Sequence, residues 1–152
     1  MKRVVVSILF ALLGLATALG GAGLYSGYPE IFGIHFVTTG GWRMSVGLLP
    51  AQGSDTTPSV ALSLDSVLAA GQAYADEAGQ YVLNYYAGAG ATASLLRANP
   101  ELNGHAMLGL ETFFAQMDNL GIFGELQLGQ RFWFYPLGTS PYLGFRVGLT
   151  LH

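Results

Sequence analysis

The chain has 152 residues, 51% of them hydrophobic and only 10% charged, with a formal net charge of −3 and a mean hydropathy of +0.43. It is too apolar and too weakly charged to be disordered, and six Lys+Arg without a basic run make no electrostatic footprint for nucleic acid. The absence of Cys excludes a disulfide scaffold and a thiolate metal site.

The first predicted element is an export signal. Lys2 and Arg3 form a positive start, Val4 to Ala16 carries no charge, and Ala16-Thr17-Ala18 offers a small-residue cleavage site, with a second candidate cut after Gly20. The apolar run is short for a membrane span. The sequence therefore predicts a signal peptide over 1–18 and one mature domain over 19–152. Cleavage after Ala18 removes Lys2 and Arg3, leaving four Arg against nine Asp+Glu, a net −5. An exported chain without Cys suits the cell envelope.

From there the chain alternates with period two, as strands do. A weak strand lies near Leu24–Tyr28. Phe32, Ile34 and Phe36 oppose Gly33, His35 and Val37, and Trp42, Met44, Val46 and Leu48 oppose Arg43, Ser45 and Gly47. Val60, Leu62, Leu64 and Leu68 oppose Ser59, Ala61, Ser63 and Asp65. Ala69 to Gly79 is compatible with a short helix. Tyr81 to Leu95 alternates Tyr, Leu and Ala with a face of Val82, Asn84, Tyr86, Gly88, Gly90, Thr92 and Ser94, mostly small or polar. Strands near 105–114, 122–134 and 142–152 complete the set, giving about eight. The predicted turns are Thr39-Gly40-Gly41, a polar loop from Pro50 to Pro58, Arg97 to Gly104 with Asn99-Pro100 and Asn103-Gly104, Asp118-Asn119, and Leu137 to Pro141.

The composition of the two faces decides which is outside. The polar face is packed with Gly (33, 47, 88, 90, 109, 129, 144 and 148) and carries Arg43, Arg131, Arg146, Asp65, Glu111 and Glu125. Gly weakens a solvent-facing strand, but it makes room inside a narrow closed sheet. Balanced charge on a Gly-lined face predicts an enclosed polar core. The other face, with aromatics such as Phe32, Phe36, Trp42, Tyr81, Tyr85, Phe114, Phe132 and Phe134 toward strand ends, is then the one for lipid. A sheet facing lipid must close, because every backbone group must pair internally. The expected fold is an all-β, antiparallel, up-and-down transmembrane barrel of about eight strands, preceded by a signal-peptide helix. A soluble barrel or sandwich, with the faces reversed, is the alternative.

Four segments carry a resemblance: Tyr85-Tyr86-Ala87-Gly88-Ala89-Gly90-Ala91, Leu108-Gly109-Leu110-Glu111, Gly121 to Gly129, and Tyr142 to Leu151. With them the mature chain resembles the small eight-stranded outer-membrane barrels of the OmpA/OmpX-like, porin-family type. The resemblance implies a diderm outer membrane, assembly by the barrel-assembly machinery, and structural, adhesive or otherwise undefined roles; outer-membrane lipid and a protein reached through the loops are the further partners expected. Such barrels usually end in an aromatic residue, whereas this chain ends Leu151-His152.

Arg43, Asp65, Glu111, Glu125, Arg131 and Arg146 are the predicted site, an interior charge network. Centring the 50–58 loop near residue 54 sets Arg43 opposite Asp65. Centring the next turn near 117–118 sets Glu111 opposite Phe123 or Glu125, with Arg146 reaching between the two carboxylates. Unpaired buried charges cost several kcal/mol, so pairing is expected. Glu30, Asp55, Asp76, Glu77, Glu101 and Asp118 fall in predicted loops, most of them solvated. His105 with Glu111 is the one acid–base pair to consider, but no Ser accompanies it, and His105 is expected at the lumen rim. His35, His105 and His152 are too scattered for a metal site, and Gly88-x-Gly90 lacks the following helix of a nucleotide motif. The sequence therefore points to a structural or interaction role without enzyme chemistry, metal or cofactor. Its alternative is a barrel that holds an apolar ligand or a partner.

Overall fold

The structure of the protein, a computed structural model, describes residues 19–51, 58–95, 99–114 and 120–152. The signal segment, Asp55, Arg97 and Asp118-Asn119 lie outside these residues. Eight strands follow one another: β1 (Leu19–Tyr28), β2 (Phe32–Thr38), β3 (Trp42–Leu49), β4 (Ser59–Ala75), β5 (Tyr81–Leu95), β6 (Glu101–Phe114), β7 (Leu120–Phe134) and β8 (Leu137–Leu151). Each pairs antiparallel with the next, and β1 pairs with β8, so the sheet closes into an up-and-down barrel. With an even number of strands, the start of β1 and the end of β8 share one end, here called lower. The turns at 39–41 and 76–80 lie at that end too.

The strands form where the alternation predicts them, and most run further. Residues 69–75 continue β4 instead of turning into a helix, with two register shifts along the way, and the turn follows at Asp76–Gln80. The physical reason is pairing: Ala69 to Ala75 lies against Ala87 to Val82 of β5, and a β ladder outweighs the helix propensity of an Ala-rich stretch. Asn103-Gly104 is not a turn but part of β6, held by Arg131 and Gln130 of β7. Leu137 to Pro141 likewise belongs to β8, and the turn is Tyr135-Pro136. In both places the partner strand overrides local turn chemistry.

Alternation carries one face of every strand inward. Tyr25, His35, Arg43, Ser63, Asp65, Thr92, Met107, Glu125, Tyr142 and Arg146 are buried, while Leu24, Ile34, Leu62, Leu108, Leu128, Phe145 and Leu149 are exposed on the outer face. The core is thus polar and charged, and the surface apolar. Glycines let large interior rings lie flat on the wall. A Cβ on Gly33 would stand 2.2 Å from Tyr25 Cζ, and one on Gly109 would stand 2.1 Å from Tyr86 Cζ.

Two lower-end turns place glycine at positive φ, Gly41 and Gly79 (+66°). Gly41 has φ +78°, and its N–H donates to the Thr38 carbonyl at 3.1 Å. A Cβ there is unfavourable by about 1–2 kcal/mol. Gly41→Ala is expected to lower the urea midpoint of the refolded barrel accordingly. Gly124→Ala, whose Cβ meets nothing within 4 Å, is the control expected to leave the midpoint unchanged.

Candidate functional site: an ion-paired plug above a vestibule

Antiparallel register brings the first charges together. Arg43 lies directly opposite Asp65 in the β3–β4 ladder, and Glu125 opposite Arg146 in the β7–β8 ladder. Barrel closure then joins the two pairs across the lumen. Asp65 Oδ2 accepts from Arg43 Nη2 and from Arg146 Nη1, each at 3.2 Å, and Asp65 Oδ1 accepts from His105 Nε2 at 3.0 Å. Arg43 Nη2 also donates to Glu125 Oε2. Arg146 Nη1 stands 4.0 Å from Glu125 Oε1.

Arg146 holds a further carboxylate. Its Nε and Nη2 donate to the two oxygens of Glu30 at 3.1 and 2.9 Å, a bidentate pair, while Nη2 also donates to Ser63 Oγ at 2.8 Å. Its guanidinium lies 4.8 Å from the centre of the Tyr25 ring. Glu30 and Asp65 are 0% exposed and Arg146 is 1% exposed. Neutral donors complete the group. Tyr86 Oη donates to Glu125 at 3.0 Å, Gln127 Nε2 donates to Glu125 at 2.8 Å, and Tyr142 Oη donates to Gln127 at 3.0 Å. Three carboxylates, two guanidiniums and an imidazole therefore fill the middle and upper lumen. At these depths an unpaired charge would cost several kcal/mol, and bidentate Arg–carboxylate geometry supplies both energy and direction.

Of the six residues predicted from sequence, Arg43, Asp65, Glu125 and Arg146 meet. Glu111 and Arg131 do not join them. Glu111 faces Phe123 in the ladder, but Arg146 does not reach it. Its Oε1 instead accepts from His152 Nε2 at 3.0 Å near the lower end. Arg131 stands 3.8 Å from Glu101 near the upper end. The structure adds two members to the plug, Glu30 and His105. Glu30 is buried rather than solvated. Its turn is tied down by Ile31 N–H donating to Leu48 O and by Ser26 Oγ donating to Ile31 O, and a turn residue has no alternation to say which way it points. His105 is buried on Asp65 rather than sitting at a rim, because β6 begins four residues before it. The acid–base pair of His105 with Glu111 is not formed, since each has a different partner. His35 bonds Thr150 Oγ1 at 3.0 Å. Among the described residues no three His, Asp or Glu gather as metal ligands.

Below the plug the lumen opens into a vestibule of about 530 Å³, lined by His35, Asn84, Tyr86, Glu111, Phe113, Phe123, Thr150, His152 and neighbouring residues. Arg43 and Tyr86, which both bind Glu125 of the plug, also line this cavity, so plug and vestibule share a wall.

No family model, curated protein or solved structure matches the chain. The fold and the site define its class: a closed eight-stranded antiparallel β-barrel with an ion-paired polar core.

Removing Arg146 would strand buried Glu30 without its bidentate guanidinium and take from Asp65 one of its three partners. Arg146→Leu is expected to cost about 3–5 kcal/mol of unfolding free energy, against under about 1 kcal/mol for Glu111→Gln at the rim, read from urea denaturation.

Proposed function

We propose that the protein is a small outer-membrane β-barrel of a diderm bacterium, with an envelope-structural or surface-interaction role and no open pore. The observation that carries this reading is the outer face. Every charged residue of the described strands lies on the inward face of its strand, and the outside is covered by exposed Leu, Ile, Val and aromatic side chains. A soluble monomer rarely exposes more than a few hundred Å² of contiguous apolar surface, and here the apolar face runs around the barrel.

The aromatic residues support the same reading. Tyr28, Phe32, Phe132 and Phe134 stand toward the upper ends of their strands, and Phe36, Trp42, Tyr81 and Tyr85 toward the lower ends. Leu, Ala and Val lie between them. Ile122 to Phe132 spans about 25 Å along the barrel axis at the usual strand tilt, the height of an outer-membrane apolar belt. Closure leaves no open seam between β1 and β8, as lipid requires. The resemblance to OmpA/OmpX-like barrels adds the expected partners: lipid, the barrel-assembly machinery, and proteins reached through loops. In this placement both ends of the barrel chain face the periplasm. The plug argues for a structural interior, because ion pairs occupy the path an ion would take.

The test is electrophoretic mobility in SDS of membrane-extracted protein, unboiled against boiled, together with cell fractionation. A heat-dependent shift and recovery with the outer membrane are expected. Absence of a shift, with protein in the soluble fraction, would overturn the reading. Leu126→Arg, at mid-belt, is expected to destabilise the lipid-inserted barrel by about 2–4 kcal/mol. In planar bilayers the protein is expected to carry no steady current, and Arg146→Leu is expected to reduce the folded band before it raises conductance.

A further inference from the structure

We infer that the vestibule at the lower end of the barrel is a binding site for a small organic cation, an alkyl- or arylammonium whose charge is held by Glu111 among aromatic rings. The cavity, at about 530 Å³, lies within the range of small-molecule sites, roughly 300–1,000 Å³. Its wall carries the inward rings of Tyr86, Phe113 and Phe123. Aromatic faces attract cations, most strongly when desolvated. Tyr86 already does so, with the Arg43 guanidinium 5.9 Å from its ring centre.

The charges select the sign of the ligand. Glu111 spends Oε1 on His152, and its Oε2 has no partner among the described residues. Asp76 and Glu77 stand in the β4–β5 turn at the same end. Among the described residues the one Lys or Arg lining the cavity is Arg43, and its guanidinium is neutralised by Asp65 and Glu125. An anion would meet the open oxygen of Glu111 and an acidic rim. A neutral apolar guest would bury that oxygen without a partner, which is costly. An ammonium satisfies it, while its alkyl or aryl body fills the space between the rings. The site is independent of what surrounds the barrel, so its failure would leave the outer-membrane reading standing.

The test titrates benzyltrimethylammonium into the full folded chain in maltoside micelles, which carry no choline headgroup, by calorimetry. Saturable one-site binding is expected. Its Kd is expected to weaken at least tenfold in Glu111→Gln and several-fold in Phe113→Leu, and to hold in Glu77→Gln, a rim acid outside the cavity. Benzenesulfonate, of similar size and opposite charge, is expected not to bind. The inference is overturned if binding does not saturate, if Glu111→Gln binds as well as the unaltered chain, or if benzenesulfonate binds equally. A cooperative urea transition of each variant shows that it remains folded.

Discussion

The carboxylate of Asp65 ties the barrel together. It sits on β4 and accepts hydrogen bonds from Arg43 of β3, Arg146 of β8 and His105 of β6. These strands come from different parts of the circumference, so one buried group senses whether the whole sheet has closed in register. A slip of one residue in any of these ladders would turn the partner to the outer face and leave a charge without its counterion. Closure and charge pairing are therefore one constraint. The plug need not raise stability above that of an apolar core of equal volume. Its weight falls on the alternatives, because misregistered barrels would bury unpaired charges.

That constraint explains the unusual distribution of residue types. A polar interior of only eight strands is narrow, and long side chains must share it. Glycines on the inner face give up their volume to Tyr25, Tyr86 and Asp65. A Cβ on Gly90 would stand 2.0 Å from Asp65 Oδ1, so the hub carboxylate occupies space that any other residue would fill. The apolar residues, displaced from the core, take the outside. In water that arrangement would forfeit the hydrophobic contribution to folding, which is the physical ground for reading the surroundings as lipid. The plug fills the middle and upper lumen, and the lower lumen stays open because β4 and β5 extend past the first three strands while their inward residues near the mouth include Ala70, Gln72 and Asn84, too short to cross it.

Much of this was legible in the chain. The pairing of Arg43 with Asp65 followed from centring a loop on residue 54, because hairpin partners have a constant sum of positions, and the register agrees. The same arithmetic leaves Glu111 opposite Phe123 or Glu125, and the register selects Phe123. What misled was local turn chemistry. Asn103-Gly104 and Leu137 to Pro141 have turn composition but lie in strands, since the neighbouring strand supplies hydrogen bonds that composition does not register. The Ala-rich 69–75 stretch was ambiguous for the same reason.

Side-chain pattern alone carries the period of two, the division into an apolar and a polar face and, for the β3–β4 hairpin, the partner across the loop. These are short-range properties, set by side-chain alternation and loop centring. Only the tertiary structure decided which charges meet across the lumen. Glu30 reaches Arg146 over 116 positions, and His105 reaches Asp65 over 40. Such contacts depend on how the closed sheet staggers its strands and where a turn folds in. No local pattern encodes that geometry, because it exists only once β1 has met β8.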